Sequence, residues 1–250
     1  MCLSEGGIAI LFVICTIILV AGVNHLIGLL SPDTSLTPRA ISNIAAAPDK
    51  MYAYGFILFS LTFAPVAEEM FFRGFLYNAF RDRMPLIAAV VVQSFLFGFG
   101  HFFGAMHASI AFLTGLMLTA LYQWRQTLIA PILAHTGINL IAALSLMSMM
   151  AAHANSPALG VIGKDDDTRC VIREVAKNST AEDANLRAGD VITSLDNEPI
   201  RDIPHLSETL RLHKPGDEVT MTVDRLGVVF DVTVVLRRRA EWSSENDDAR

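Results

Sequence analysis

Five long apolar runs fill most of the first 150 residues of this 250-residue chain, at 8–30, 52–80, 85–103, 108–124 and 128–150. Four of the five hold no Asp, Glu, Lys or Arg. The first, at 23 residues, is long enough as a helix to cross a hydrocarbon core of roughly 30 Å. Inside lipid every backbone N–H and C=O must be paired within the protein, which leaves only helices or a closed barrel. Runs this long without polar alternation select the helix. The breaks between them are polar: Arg81-Asp82-Arg83 and Arg125-Gln126-Thr127. The expectation is a membrane all-α helical bundle of about five transmembrane helices over residues 1–152. Residues 1–7 carry no Lys or Arg, so the first run reads as a retained helix rather than a signal peptide. The run 52–80 is 29 residues long and contains Pro65. It reads either as one kinked, tilted span or as a partial span followed by a helix that starts near Pro65, which would make six crossings.

Charge divides the chain in two. The first 150 residues hold six basic and six acidic side chains; the last 100 hold thirteen basic and nineteen acidic ones, so the whole net charge of −6 lies there. Such a division excludes a uniform globular domain, a disordered chain and a nucleic-acid binder acting through a general basic surface. Three cysteines without a C-x-x-C pair build neither a disulfide framework nor a zinc ribbon. Five crossings put Arg81, Arg83 and Arg125 on one face, and Arg39 and Lys50 on the other with the C-terminal domain. By the positive-inside rule the N-terminus is then cytoplasmic and the C-terminal domain extracytoplasmic, with membrane lipid as the surrounding partner.

After a linker at 153–158 the text becomes short runs rich in Val, Ile and Thr, with strands expected at 159–162, 170–175, 190–195, 218–224 and 228–236. Helical stretches at 181–186 and 203–212 interleave with them. This is a small α+β domain over 159–238, followed by a polar tail, 239–250, expected to be disordered. Asp165-Asp166-Asp167 reads as a solvated turn, since three adjacent acids cannot converge on one ion from a strand.

An ionisable side chain at bilayer depth costs roughly 2.5–3.5 kcal/mol even on mild scales, so it marks a candidate site. Glu68, Glu69, Arg73, His101, His135 and Asn139 all fall inside the apolar runs. Glu69 and Arg73 are one turn apart and can pair. Glu68 lies about 100° around the helix and is left outside that pair, which suits a general base. His135 and Asn139 share a face in the same way. Counted from the polar breaks, Glu68, His101 and His135 sit roughly 20, 24 and 15 Å from one membrane face. Three helices thus bring polar groups to nearly one level.

Glu68-Glu69-x-x-x-Arg73, Phe97-x-x-x-His101 and His135-x-x-x-Asn139, in this order on successive helices, resemble the three motifs of the CAAX-protease and bacteriocin-processing (CPBP) family of intramembrane endopeptidases. Phe72-Arg73-Gly74 and the stretch from Ala130 to His135 fit the same texture, and the resemblance covers about residues 52–145. It implies a glutamate-dependent peptidase in which Glu68 and His101 hold and activate a water. His135 and Asn139 would then donate to the oxyanion, Glu69 and Arg73 would orient the site, and Phe97 would pack beside it. The resemblance implies no metal. One Glu with two His is also a hydrolytic zinc set in other folds, so a zinc-dependent protease using the same residues stands as an alternative, although H-E-x-x-H is absent. A second alternative is a membrane adaptor in which the polar residues only stabilise helix packing.

The C-terminal segment resembles a PDZ domain of the kind attached to bacterial envelope proteases. The carrying residues are Leu159-Gly160-Val161-Ile162, Ala188-Gly189-Asp190-Val191-Ile192, Asp196-Asn197-Glu198-Pro199-Ile200 and Pro215-Gly216-Asp217. The resemblance implies that an extended peptide, such as a protein substrate's C-terminal tail, adds to a sheet edge. Its carboxylate would meet the loop at 156–160, which includes Leu159 and Gly160; Val161 and Ile162 would receive the strand, and Leu206 and Leu210 would line the side-chain pocket.

Overall fold

The first apolar run folds as one 26-residue helix, α1 (Glu5–Leu30). The computed structural model describes residues 4–30, 44, 50–101, 105–163 and 169–240, which fall into two units, Met1–Ser148 and Met149–Arg250. Residues 241–250 and Asp165–Asp167 lie outside the described residues; the tail expected at 239–250 begins later than that, since the Arg239 N–H donates to Ser156 O at 3.0 Å and holds the chain to the fold there.

In the first unit the run 52–80 breaks at Thr62 into α2 (Met51–Leu61) and α3 (Phe63–Glu69), bent by 40°. Pro65 sits in the first turn of α3, where its missing N–H has no intrahelical acceptor to lose. The chain then widens into a π-helical stretch, Met70–Tyr77, before α4 (Asn78–Arg81). Helix α5 (Leu86–Gly100) ends where His101 leaves helical geometry at φ −101°, ψ 32°. Helices α6 (Ala105–Arg125) and α7 (Ile129–Ala154) follow.

Glycines let α5 and α6 approach closely. A Cβ on Gly98 would stand 2.7 Å from the Ala108 carbonyl oxygen, and one on Gly115 would stand 3.1 Å from Ser94 Cβ. Helix α1 is anchored to the far end of α6 by an Arg125–Glu5 ion pair, with Nε at 3.2 and 3.3 Å from the two carboxylate oxygens. Phe12 stacks on Trp124 beside it.

Among the described residues, Ile129–Ala154 is long and apolar enough to cross a membrane, and the bent pair α2–α3 with its continuation to Arg81 passes the same test as a unit. Glu5–Leu19 and Leu86–Gly100 are shorter apolar helices. The unit buries a polar cluster among apolar side chains and leaves large apolar side chains outside. Glu69, Arg73, Gln93, Ser94, Thr119 and His135 are buried, whereas Ile18, Leu58, Phe63, Phe75, Ile87 and Phe99 are each more than 60% exposed. Water penalises that distribution and hydrocarbon does not.

The second unit is antiparallel throughout. Strands β3 (Cys170–Val171), β5 (Val191–Leu195), β7 (Glu218–Arg225) and β8 (Val228–Val235) pair in that order, and β6 (Glu198–Pro199) pairs with β5. Strand β2 (Val161–Ile162) pairs with β4 (Glu174–Val175), and β1 (Pro157–Ala158) with β9 (Arg237–Arg238). The expected strand 170–175 is therefore two, because the chain changes partner at Ile172, whose N–H donates to Asp190 O at 2.8 Å. The linker is also shorter than 153–158: α7 runs to Ala154 and β1 begins at Pro157.

Short helices α8 (Thr180–Asp183) and α9 (Ile203–Leu210) are capped by Ser179 and Asp202, whose side-chain oxygens accept from the N–H groups of Glu182 and His205. Asp196-Asn197 and Leu226-Gly227, all at positive φ, make the tight hairpin turns. On β7 every second residue, Val219, Met221 and Val223, is buried against Ile172, Ile192, Leu195, Leu206 and Leu236.

Asp190, 1% exposed, is the charged residue in this core. Arg225 grips it with two bonds of 2.7 Å, and the Arg187 N–H donates to it at 2.8 Å. The hydrogen bonds from Arg225 hold its carboxyl below the usual aspartate range despite burial, which acts the other way. A depressed folded pKa contributes stability that is present above the unfolded value of about 3.9 and is lost as pH falls through the folded one. Asp190→Asn is expected to lower the melting temperature of this unit by roughly 5 °C or more at pH 7. The gap from wild type should shrink as thermal melts are taken down to pH 2; a gap independent of pH contradicts the assignment.

Candidate functional site

The site begins where the helix widens. A π-helical stretch shifts the register of side chains along one face and is often found at functional sites; here it follows Glu69 directly. The carbonyls it disturbs are caught by Asn78, whose Nδ2 donates to Arg73 O at 3.1 Å and to Gly74 O at 2.8 Å.

Adjacent carboxylates meet different surroundings. Glu69 is fully buried, and its Oε1 accepts from Arg73 Nη1 at 2.8 Å and from His135 Nδ1 at 2.8 Å. Glu68 keeps 27% of its side chain exposed and faces two imidazoles, with Oε2 at 3.5 Å from His101 Nε2 and 3.8 Å from His135 Nε2. That oxygen has no hydrogen-bond partner among the described residues. His101 Nδ1 donates to the Phe97 carbonyl at 2.8 Å. Each ring therefore has its Nδ1–H committed to an acceptor, which turns Nε2 toward Glu68. On a neutral ring Nε2 is an acceptor, so a group bridging it to the carboxylate must supply a proton.

Phe97, 2% exposed, is the hub beneath this cluster. Its ring centroid is 4.5 Å from that of His101, 5.8 Å from that of His135 and 4.6 Å from the Arg73 guanidinium carbon. Asn139, one turn along α7 from His135, donates through Nδ2 to Ser60 O on α2 at 2.8 Å. The structure thus brings Glu68, Glu69, Arg73, Phe97, His101 and His135 together, and ties Asn139 to the neighbouring helix.

Sequence reasoning did not find the cradle around Arg73. Its Nη2 donates to Gly115 O at 3.1 Å, its Nε reaches Thr119 Oγ1 at 3.4 Å, and Thr119 donates to Gln93 Oε1 at 2.6 Å. The available signal was a lone Gln and a Thr inside charge-free apolar runs. Among the described residues, no group of three or more His, Cys, Asp or Glu side chains is placed to hold a metal ion.

In the second unit a cavity of about 40 Å³ lies between the start of β2 and α9. Leu159, Gly160 and Val161 line one wall, Leu206 and Leu210 the other. Ile162, expected beside them, is half exposed and does not line it. Ala158, Ile203, Ser207 and Arg239 complete the lining and were not anticipated. Gly160 sits at φ +79°, and a Cβ there would stand 2.2 Å from Ser179 Cβ. Gly160→Ala is expected to cost this unit about 2–4 kcal/mol in chemical denaturation, from backbone strain plus overpacking.

Residues 50–141 match the family model described as type II CAAX prenyl endopeptidase, Rce1-like, and residues 157–236 match the PDZ domain model. The two matches agree with the composition expected from the motifs, and the first supports a protease-type role. A curated relative, the serine protease Do-like HtrA of Lactobacillus helveticus, is 40% identical over 62 residues; these are 25% of this chain and 15% of that protein. Among solved structures, the HtrA-type protease AlgW with decapeptide is 22% identical with a TM-score of 0.32, covering 40% of this chain and 35% of that chain. The serine endoprotease from Yersinia pestis is 16% identical at the same TM-score and coverage.

Proposed function

We propose that this chain is an integral membrane endopeptidase that hydrolyses peptide bonds with a water activated by Glu68 and His101, and that its PDZ domain binds extended peptide segments to select or restrain substrates. The observation that carries the reading is the convergence of His101 Nε2 and His135 Nε2 on one carboxylate oxygen of Glu68, with both Nδ1 atoms already committed.

A water between Glu68 and His101 loses a proton to this pair as its oxygen attacks the scissile carbonyl carbon. The C–O bond that forms converts the carbonyl oxygen to an oxyanion. Asn139 commits one amide N–H to Ser60 and has a second to offer that oxyanion. His135 can contribute a donor at Nε2 as an imidazolium, since its Nδ1–H is held by Glu69. When the C–N bond breaks, the proton taken from water passes to the leaving amine. Preorganised donors of this kind supply a large part of the rate in acyl transfer.

The apolar exterior supports the membrane reading; about five crossings and an extracytoplasmic PDZ domain are proposed from the apolar runs and loop charges of the sequence alone. Purified protein is expected to keep its activity after exhaustive chelation. Loss restored only by zinc would favour the zinc-dependent alternative.

The deciding experiment compares cells carrying wild-type protein with cells carrying Glu68→Gln at matched expression, by quantitative proteomics of membrane and envelope proteins. Uncleaved substrates should accumulate in the variant, and His101→Ala should reproduce the same set. Identical profiles in wild type and both variants would leave the adaptor reading in its place.

A further inference from the structure

We propose that the tip of the β7–β8 hairpin is a lipid anchor, with Leu226, Val228 and Val229 inserting into the bilayer surface, an inference that rests on the membrane reading above. Leu226 is 97% exposed, Val228 66% and Val229 64%. Scattered singly, exposed apolar side chains need no partner. Here three fall within four consecutive residues, and Gly227 between them has no side chain to break the patch.

The backbone makes leucine a costly choice at this turn. Leu226 sits at φ +56°, in the left-handed region, where the Cβ of an L-residue crowds the following carbonyl oxygen. Asn, Asp and Gly enter that region far more readily and are the usual residues of such turns. The same sheet shows the ordinary solution: the β5–β6 hairpin turns on Asp196 and Asn197, both exposed, at φ +48° and +67°. The β7–β8 turn instead accepts strain and presents an apolar side chain outward, where Asn would suit both the backbone and water. Strain kept at a surface turn points to function. The charged neighbours are committed to the fold. Arg225 spends Nε and Nη2 on Asp190 and the Asn185 carbonyl, and Asp224 accepts from the Gly227 N–H at 2.8 Å.

The occupant follows from the tether. Helix α7, long and apolar enough to cross a membrane, ends at Ala154, and Asn155 and Ser156 are all that precede β1. Even fully extended, that connection spans on the order of 10 Å. A bilayer surface is therefore always within reach of this domain. Attachment through α7 also makes insertion an intramolecular event, so a few side chains suffice to hold the tip in lipid. Lipid accepts apolar surface of any shape, which suits a protruding turn. A protein partner would have to offer a recess matched to it, and three aliphatic side chains carry no polar pattern to specify one.

The test is spin labelling of the full-length protein in vesicles of phosphatidylcholine and phosphatidylglycerol. Cys2 and Cys15 are replaced by Ser; Cys170 is buried, with its thiol pKa pushed up to about 12, and stays unlabelled. Labels go one at a time on Val228→Cys, on Asn197→Cys in the polar hairpin, and on Leu144→Cys on the exposed side of α7. Collisions with oxygen, which partitions into lipid, are compared with collisions with a water-soluble nickel chelate. Oxygen should dominate several-fold at Val228→Cys and Leu144→Cys, and nickel at Asn197→Cys. Adding Leu226→Asn should return the Val228→Cys label to nickel. That substitution suits the left-handed turn, so the melting temperature should hold or rise. Nickel dominance at Val228→Cys without it overturns the proposal, and oxygen dominance at Leu144→Cys then leaves the membrane reading standing. A Val228→Cys label shielded from both reagents overturns it in favour of a protein partner, a second copy if paired labels broaden the spectrum. Oxygen dominance that survives Leu226→Asn, or that appears equally at Asn197→Cys, overturns it by removing this tip as the anchor. Nickel dominance at Leu144→Cys removes the membrane reading itself, and the proposal with it.

Discussion

Glu68→Gln in the purified protein is expected to lower kcat for peptide hydrolysis by roughly 10²–10⁴-fold, with KM changed far less, because that is what general-base catalysis is worth. Glutamine keeps the shape of the side chain and its contacts with the two imidazoles, but has no basic oxygen to take a proton from water. The partial exposure of Glu68 lets it meet substrate, whereas Glu69 is fully buried. The neighbouring substitution should therefore behave differently. Glu69→Gln leaves the buried Arg73 charge without its counter-ion and loosens His135, so it should lower thermal stability and activity together. Steady-state kinetics and melting curves on both variants separate the roles. A Glu68→Gln protein that turns over at the wild-type rate removes Glu68 as the base. A Glu69→Gln protein with wild-type stability removes the orienting pair.

Position along a regular helix converts into depth at about 1.5 Å per residue, and that is why the level of the site was legible. The depths assigned to Glu68, His101 and His135 from sequence agree with a structure in which Glu68 Oε2 lies within 4 Å of Nε2 of both histidines. The pairing of Glu69 with Arg73 was legible for the same reason, being a contact one turn apart. Contacts between helices were not. Whether Arg73 meets Gly115 and Thr119, or Asn139 meets Ser60, depends on the rotation of each helix about its axis, and the π-helical stretch at Met70–Tyr77 alters that rotation without a compositional mark. In the second unit the strand positions could be read from alternating Val, Ile and Thr. The split of 170–175 could not, because it arises from a change of partner strand rather than a change of residue type. Arg239 escaped notice for a similar reason, since the β1–β9 pairing that delivers it joins residues about 80 apart in the chain.

Arg73→Met should destabilise the helical unit by about 3–5 kcal/mol, the usual cost of removing one partner from a buried ion pair. The side chain is 0% exposed, and every face of it is engaged: Nη1 on Glu69, Nη2 on Gly115 O, Nε toward Thr119 and the guanidinium plane over Phe97. Its loss strands the Glu69 carboxylate, which retains only the bond from His135. Most of that cost comes from the stranded charge rather than from the lost bonds, so the double substitution Glu69→Leu, Arg73→Met should recover most of the stability. It should not recover activity. Without Glu69 the Nδ1–H of His135 has no acceptor, the ring is free to rotate or exchange tautomers, and Nε2 is no longer held toward Glu68. Thermal unfolding in detergent and kcat measured on the same preparations read the two effects separately. A stable, inactive double variant identifies the Glu69–Arg73 pair as the device that sets the histidine. A stable double variant with wild-type kcat would reduce the pair to packing, and would leave the alignment of His135 to Phe97 alone.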